Sequence, residues 1–324
     1  MGKNTTRSVK PNQYQDIIGS LVANKFKLIK LLGSGSYGAV FLGKNLSTND
    51  LVAVKLENKA TKAPQLPLEY RFIKMIGQTE GFPKIIRIDE CAGIYHAMVM
   101  ELLGPSLEEV FNICDRKLSL KSVLYISLQL LNRFQTLHSK NIIYRDVKPE
   151  NFLLGRPGQP RENVVHIIDY GLAKEFINPE TGTHIAFRGQ RGAIGTARYM
   201  SLNTHMGREQ SRRDDLEALG YVIIYLMRGS LPWQGLPATD HKERMKKIGE
   251  LKRKLPVEEI CDKCPEEFAS YLRYVKNLDF YEAPDYDYLK RLFYDLFVAN
   301  RFVDDGTFDW SGKFESKAPS STNN

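Results

Sequence analysis

Two short segments near the middle of the chain carry acidic and amide side chains at a spacing suited to phosphoryl transfer. In the first, Asp146, Lys148 and Asn151 form an Asp-x-Lys-x-x-Asn pattern. Asp146 can accept a proton from a hydroxyl group, Lys148 can neutralise a transferring γ-phosphate, and Asn151 can bind magnesium. In the second, an apolar run over 164–168 predicts a buried strand that ends at Asp169, which can bind the metal that bridges phosphates.

A glycine-rich segment with the pattern GxGxxGxV precedes these two, over 33–40. A dinucleotide fingerprint shares its core, but there the glycines open a helix, whereas strand-like residues follow here over 39–43. This context favours a hairpin whose backbone N–H groups cover ATP phosphates, although in isolation the segment is equally a simple turn. A P-loop over 38–45 is excluded, because Asn45 stands where Ser or Thr should bind magnesium.

A lysine and a glutamate complete the pattern. Lys55 lies on an apolar strand-like run, fourteen positions before Glu69 on the first predicted helix. Alone, Lys55 would be a solvated edge residue, and Asp146 and Asp169 would be turn caps. The order glycine loop, strand lysine, helix glutamate, Asp-x-Lys-x-x-Asn and Asp-x-Gly favours an ion pair of Lys55 with Glu69 that directs the lysine to the α- and β-phosphates of ATP.

The composition is that of a globular protein. Hydrophobic residues make up 42% and charged residues 26% of the 324 residues, and the longest apolar run, 218–227, is too short to span a bilayer. The net charge of +8 favours an anionic partner, which leaves nucleic acid, a membrane surface, a phosphorylated protein or an acidic peptide open. Four cysteines and no secretory segment indicate a reducing, cytoplasmic location, and the CxxC pair at 261–264 is interpreted as structural or incidental.

The elements that must position these residues change character along the chain. Residues 1–22 are polar and basic and predict a flexible arm, 25–57 predict antiparallel strands, and 313–324 predict a disordered tail. After 104–105 helical patterns dominate, which indicates a small β-rich lobe followed by a larger α-rich one. Ser119 is placed to cap a long helix over 120–138. Further helices are predicted over 216–227, 243–251, 266–275 and 288–297.

Together these segments resemble those of eukaryotic protein kinases, and the strings around them are similar to the casein kinase 1 family over roughly 25–312. The motif YRD at 144–146, with GRPG at 155–158 and KRLF at 290–293, resembles the gamma type. The strings that carry the family resemblance are MELLGPSL at 100–107, GTARYMSLNTH at 195–205, EQSRRDDLEALG at 209–220, GSLPWQGL at 229–236 and DW at 309–310.

The resemblance implies an α+β, bilobal protein kinase domain over 23–312, with an N-lobe at 23–100, a hinge at 101–104 and a C-lobe at 105–312. It implies a Ser/Thr kinase that uses ATP and Mg²⁺. Asp146 would be the catalytic base, Lys148 and Thr196 would lie near the γ-phosphate, Asn151 and Asp169 would bind magnesium, and Asp215 would brace the catalytic loop. Lys55 would pair with Glu69. The implied ATP-binding residues are Gly33, Ser34, Gly35, Gly38, Val40, Ala53, Lys55, Met100, Glu101 and Leu103.

The family resemblance also implies substrates whose serine or threonine follows an acidic or phosphorylated residue, which a basic groove would recognise. Arg145, Arg198, Lys242 and Arg244 are the candidates for this anion site, and for each the alternative is a solvated surface charge. Two departures make substrate choice less typical of the family: the loop at 187–194, and a proline at 237 where lysine is common.

The first six residues, MGKNTT, fit an N-myristoylation pattern with Gly2 as acceptor, and Lys3, Arg7 and Lys10 would add an electrostatic signal. An unmodified arm is the alternative. We therefore expect a cytoplasmic monomer, associated with membranes if Gly2 is myristoylated, that binds acidic or phosphorylated proteins and no specific nucleic acid. A pseudokinase scaffold and a basic nucleic-acid-binding protein are the other functional classes, and neither uses all five motifs.

Overall fold

The computed structural model describes residues 11–35 and 38–314. These residues form two compact units. The N-terminal unit comprises the described residues up to Leu103 together with Asp169–Gly171, and the C-terminal unit comprises Gly104–Ile168 and the chain from Leu172 onwards. The predicted myristoylation pattern and residues 315–324 of the predicted tail lie outside the described residues.

The N-terminal unit is an antiparallel sheet of six strands with one α-helix. The strand order is β1-β2-β3-β4-β6-β5, and β1 also pairs with β5 at Val22 and Cys91, so the sheet closes on itself. Along β3 side chains alternate between half-buried and buried, the period-2 pattern of a strand with one face in the core. The bounds are β1 Leu21–Val22, β2 Phe26–Gly35, β3 Gly38–Asn45, β4 Leu51–Asn58, α1 Leu66–Ile76, β5 Ile85–Cys91 and β6 Tyr95–Glu101.

A short 3₁₀-helix, Pro11–Ile17, precedes β1 and corrects the prediction of a flexible arm over 1–22. Tyr14 and Ile17 are buried in the core of the sheet, and the Tyr14 ring meets Phe41 edge-on with centroids 5.9 Å apart. The prediction was wrong for 11–22 because two apolar residues three apart are enough to anchor one helical turn, while the surrounding polar residues dominate the composition.

The C-terminal unit is mainly helical. The longest helix, α3, packs against α5 and α9, and α5 is buried along most of its length. Its helices are α2 Leu107–Ile113, α3 Leu120–Ser139, α4 Leu202–His205, α5 Arg212–Arg228, α6 His241–Lys254, α7 Val257–Ile260, α8 Glu266–Asn277 and α9 Tyr286–Ala299. Its strands form two short pairs, β7 Ile142–Ile143 with β10 Lys174–Glu175, and β8 Phe152–Leu153 with β9 His166–Ile167.

Capping residues account for where the helices begin. The predicted cap of the long helix is confirmed, because Ser119 Oγ accepts a hydrogen bond from Ser122 N at 3.3 Å. The helix predicted over 216–227 begins four residues earlier, at Arg212, where the Asp214 carboxylate accepts a hydrogen bond from the backbone nitrogen of Ser211 at 2.8 Å. The strand predicted over 164–168 is shorter and contains only His166–Ile167.

Candidate active site

The glycine-rich segment is the hairpin that the sequence predicts. Gly33, Ser34 and Gly35 end β2, and Gly38 begins β3. Gly38 has a φ of +137°, and a Cβ at this position would lie 2.2 Å from the carbonyl oxygen of Leu56, so only glycine fits. Cross-strand pairs place further predicted nucleotide-binding residues side by side, Val40 with Lys55 and Ala53 with Met100, and Glu101 pairs with Val52. Leu103 follows β6.

Lys55 lies between two carboxylates of the same unit. Its ammonium group forms an ion pair with Glu69 on α1 and a second with Asp169 Oδ1 at 3.2 Å. Burial lowers the pKa of Lys55, but the two carboxylates outweigh it and raise that pKa above its ordinary value. Burial raises the pKa of Glu69 above its ordinary value, and the positive charge of Lys55 reduces this shift. The structure thus brings together three residues that the sequence separates by up to 114 positions.

Glu57 positions the helix that carries Glu69. This carboxylate is buried on β4, two residues beyond Lys55, and accepts hydrogen bonds from the backbone nitrogens of Gln65 at 2.8 Å and Leu66 at 3.0 Å. A negative charge at the start of α1 satisfies amide groups that have no partner within the helix. The sequence analysis missed Glu57, because its strand position does not reveal that a helix begins beside it.

The predicted catalytic loop residues converge on Asp146, whose surface is 7% exposed. Lys148 Nζ lies 2.6 Å from Asp146 Oδ2, and Asn151 Nδ2 donates to the same oxygen at 3.1 Å. Thr196 Oγ1 donates to Asp146 Oδ1 at 3.1 Å. One carboxylate therefore has a cation, an amide and a hydroxyl group as partners, and all four residues come from the sequence prediction.

The two predicted magnesium ligands offer oxygen atoms. Asn151 uses its side-chain nitrogen for Asp146, an orientation that keeps Oδ1 available to a cation. Asp169 has a φ of +60° and a partly exposed carboxylate. Amide and carboxylate oxygens are the donors that Mg²⁺ prefers, so the residues present fit this ion.

Asp215 holds the backbone that leads into the catalytic loop. Its Oδ2 accepts from Tyr144 N at 2.7 Å and its Oδ1 from Arg145 N at 2.8 Å, while Arg145 adopts a left-handed φ of +68°. His138 Nε2 lies 3.0 Å from the same Oδ2, and His138 Nδ1 forms a hydrogen bond with the hydroxyl group of Tyr286 at the start of α9. The contacts of His138 and Tyr286 link distant helices, so the sequence analysis had no signal for them.

The four candidates for the anion site share no direct contact within the described part of the chain. Arg145 Nε donates to the carbonyl of Leu172 at 2.6 Å, and burial lowers the pKa of Arg145. The Arg198 guanidinium lies over the ring of Tyr199 at 5.6 Å. Lys242 and Arg244 are exposed near the start of α6. These contacts do not test the anion site, which stays a prediction.

A different group of cations surrounds a buried carboxylate. Lys174 Nζ lies 3.0 Å from Glu209 Oε1, and Arg191 Nε lies 3.1 Å from Glu209 Oε2. Glu209 and Arg191 also act electrostatically on Arg145. Asp215 acts on Arg145 as well, so three cations and two carboxylates leave one excess positive charge here. The sequence singled out the loop at 187–194, which contains Arg191, but it gave no signal for Lys174 and Glu209.

Two other features of the described residues remain, the cysteine pair and possible metal-ligand clusters. Cys261 and Cys264 are free thiols, and burial raises their pKa values to about 12 and about 11. Among the described residues, no three His, Cys, Asp or Glu side chains cluster as metal ligands. Within the same residues, every helix is too short or too polar to cross a membrane.

Comparison with known proteins settles the family. A protein-family model described as protein kinase domain matches residues 26–281. The chain is 46% identical over 291 residues to casein kinase I homolog 2 of Schizosaccharomyces pombe, which covers 90% of this chain and 67% of that protein. The chain belongs to the casein kinase 1 family of protein kinases. It is therefore an ATP-dependent Ser/Thr protein kinase with the predicted bilobal fold.

Two further relatives from the same organism are also casein kinase I homologs. Casein kinase I homologs 3 and 1 are each 45% identical over 292 residues, 90% of this chain, and the matches cover 66% and 65% of those proteins. The kinase thus spans about two thirds of the length of the curated relatives it matches. The gamma-type assignment stays a prediction.

Proposed function

We propose that this kinase transfers the γ-phosphate of ATP to serine or threonine in acidic or phosphate-primed proteins, with Asp146 as the catalytic base. The contacts of Asp146 carry this proposal. Its Oδ2 lies 2.6 Å from Lys148 Nζ, so the carboxylate is held beside a positive charge that can also attract a phosphate. Thr196 Oγ1 donates a hydrogen bond to the other oxygen, Oδ1, at 3.1 Å and so helps to orient the carboxylate.

In the proposed reaction Asp146 takes the proton of the substrate hydroxyl group while the substrate oxygen attacks the γ-phosphorus. The bond between the γ-phosphorus and the β,γ-bridging oxygen breaks, and ADP is the leaving group. Lys148 and Lys55 stabilise the negative charge that phosphoryl transfer redistributes, and Glu69 keeps Lys55 in place. When bound, Mg²⁺ supplies further charge neutralisation at the phosphates, and Asn151 and Asp169 would hold it. Backbone N–H groups of the hairpin at 33–40 would cover the phosphates.

The preference for acidic or phosphorylated substrates is supported by positive charge outside the catalytic loop. Arg198, Lys242 and Arg244 are the cations expected from the family resemblance, and the group around Glu209 adds Lys174 and Arg191. Guanidinium groups bind phosphate through two parallel hydrogen bonds, which suits Arg191 and Arg198 to a primed residue.

The catalytic assignment is tested with Asp146→Asn. We expect the rate of phosphate transfer to an acidic peptide to fall by at least about 100-fold, because a general base contributes roughly that much. The matched control is Glu150→Gln, which removes a carboxylate from an exposed position four residues away. Equal rates in wild type and Asp146→Asn would contradict the assignment of Asp146 as the base.

The anion site is tested with one peptide sequence in phosphorylated and unphosphorylated forms. Arg198→Ala and Arg191→Ala are each expected to raise KM for the phosphorylated peptide while KM for the unphosphorylated one stays within twofold. Lys246→Ala, on an exposed position of α6, is the control for loss of any surface charge. A uniform effect on both peptides would show that these arginines do not recognise the priming phosphate.

We propose further that the kinase is a cytoplasmic monomer that contacts membranes when Gly2 is myristoylated. The pattern at 1–6 and the basic residues Lys3, Arg7 and Lys10 support this, since one acyl chain needs a second signal for stable binding. Incorporation of an alkyne-tagged myristate into wild type but not Gly2→Ala would support the modification. Equal incorporation in both would exclude Gly2 as the acceptor.

A further inference from the structure

Lys252 is a buried lysine to which the catalytic proposal assigns no role. It lies on α6 with 0% of its surface exposed. Its Nζ donates to the carbonyl of Met200 at 2.6 Å and to the carbonyl of Ala197 at 3.1 Å. The same ammonium group lies 4.7 Å from the ring centre of Tyr221 and 4.8 Å from that of Trp233. Lys252 is therefore held between two aromatic faces and directed at one loop.

A second side chain holds the same loop. Trp233 Nε1 donates to the carbonyl of Arg198 at 2.7 Å. Lys252 and Trp233 thus bind three of the four carbonyl groups between Ala197 and Met200. These groups lie outside a regular helix or strand and would otherwise need other partners.

The loop that these two residues hold is next to the proposed chemistry. It begins directly after Thr196, whose hydroxyl group donates to Asp146 Oδ1 at 3.1 Å. It also carries Arg198, a candidate for binding the substrate anion. A displacement of the carbonyls at 197–200 would move both side chains, and small displacements of positioned groups can cost large factors in rate.

We propose that Lys252 is a positioning residue that fixes the backbone at 197–200, and through it Thr196 and Arg198, for binding of the protein substrate. This inference rests on the proposed roles of Asp146 and Arg198. Both ends of α6 would then contribute to substrate specificity. Lys242 and Arg244 are exposed near its start, and Lys252 is buried near its end.

Core packing alone does not explain a lysine here. Moving an ammonium group out of water costs free energy, and an apolar side chain of similar length would fill the space at lower cost. Burial lowers the pKa of Lys252 well below its ordinary value. In either protonation state its nitrogen can donate hydrogen bonds to the two carbonyl oxygens, and it also contacts the two aromatic faces. The other titratable groups that face Lys252 are His205, whose Nε2 lies 3.4 Å from Nζ, with Glu217 and Lys276 acting electrostatically.

The test compares Lys252→Met, Lys252→Gln and the control Lys246→Met in the full chain. Methionine keeps the length but donates no hydrogen bond, whereas glutamine can donate to both carbonyls. The measurements are kcat and KM for an acidic peptide, KM for ATP, and ATP hydrolysis without peptide. For Lys252→Met we expect kcat/KM for the peptide to fall roughly 10- to 100-fold, mainly through KM, with KM for ATP within twofold. Lys252→Gln should be intermediate, and Lys246→Met unchanged.

Equal losses in peptide phosphorylation, ATP binding and ATP hydrolysis would overturn the inference, as would unchanged peptide kinetics in Lys252→Met. If Lys252→Met does not fold, Trp233→Phe provides the test. It removes the hydrogen bond to the carbonyl of Arg198 and keeps an aromatic ring, although a smaller one. A peptide-specific loss in that variant supports the inference and unchanged kinetics overturns it. A wild-type protein that hydrolyses ATP but phosphorylates no peptide would contradict the proposed function and this inference together.

Discussion

At the scale of single residues, Lys55 illustrates how burial and charge compete. Its ammonium group is largely removed from water, which disfavours the charged form, yet Glu69 and Asp169 raise its pKa above the ordinary value. A lysine that stays charged and immobile is suited to bind phosphate oxygens. The same arrangement makes Glu69 dependent on Lys55, since the glutamate is more deeply buried than its partner.

Lys55→Met should therefore damage both activity and stability. We expect kcat/KM with ATP to fall about 100-fold, the typical effect of removing one charge-stabilising donor. The free energy of unfolding of the N-terminal unit should fall by about 3 kcal/mol, because Glu69 is left buried without its cation. Urea unfolding and a peptide phosphorylation assay measure the two effects.

The double variant Lys55→Met/Glu69→Gln separates these effects. Because it removes the unpaired buried charge, it should recover most of the lost stability and none of the activity. Recovery of activity in the double variant, or full activity in Lys55→Met, would show that the ion pair is structural only.

His205 predicts a loss of stability in mild acid. Burial, together with Lys252, lowers the pKa of His205 to about 4. The unfolded chain, in which the pKa of histidine is about 6.5, binds the proton first as the pH falls, so the free energy of unfolding decreases between pH 6.5 and pH 4. Between pH 7 and pH 5 wild type should lose about 1 kcal/mol more than His205→Gln, after allowance for partial exposure. Equal losses in both proteins would contradict this.

Individual residues were predictable where a local motif carries them. Asp146, Lys148 and Asn151 lie within six positions, and their types alone indicate phosphoryl transfer. Glu57 and Lys252 were missed because each owes its role to a backbone group of a distant segment. A strand glutamate and a helix lysine have the same appearance in sequence whether they are solvated or buried. Only the fold shows which carbonyl or amide they meet.

At the scale of elements, the 3₁₀-helix Pro11–Ile17 is part of the N-terminal unit. Tyr14 packs on Phe41 of β3 and approaches Tyr95 of β6, with ring centres 6.4 Å apart in the second pair. Because β3 forms half of the glycine-rich hairpin, this helix supports one strand of that hairpin.

Tyr14→Ala should consequently destabilise the N-terminal unit by about 3 kcal/mol, the usual cost of truncating a buried aromatic side chain. The control is Gln15→Ala, an exposed neighbour in the same helix that should change stability by less than about 0.5 kcal/mol. Thermal unfolding, followed by far-ultraviolet circular dichroism, compares the unfolding temperatures of the two variants. If both variants unfold at the wild-type temperature, the helix does not contribute to the core.

The predicted elements were most accurate where hydrophobic periodicity and a cap coincide. Ser119 and the apolar stripe after it gave the start of α3 to the residue. The start of α5 was missed by four positions, because its first turn is charged and the Asp214 carboxylate accepts the hydrogen bond from Ser211 N in place of the more usual glutamate. The strand at His166–Ile167 is shorter than its apolar run, since a two-residue partner, β8, limits its pairing.

At the scale of the whole molecule, net charge is the property that follows most directly from the sequence. The net charge of +8 left four kinds of anionic partner open, and membership of a protein kinase family narrows the choice to proteins for the reaction itself. Cations such as Arg191, Lys242 and Arg244 are exposed, so their effect on a substrate depends on the surrounding salt.

Salt should therefore affect substrates according to their charge. Raising the KCl concentration from about 0.1 M to about 1 M shortens the screening length from about 10 Å to about 3 Å. We expect KM for an acidic peptide to rise by roughly 10-fold over this range, because screening removes the long-range attraction to a basic surface. A neutral peptide with the same phosphoacceptor serine is the control, and its KM should change less than about twofold, since it has no charge to screen. Equal changes for both peptides would mean that salt acts on the kinase itself, and that the positive charge does not select the substrate.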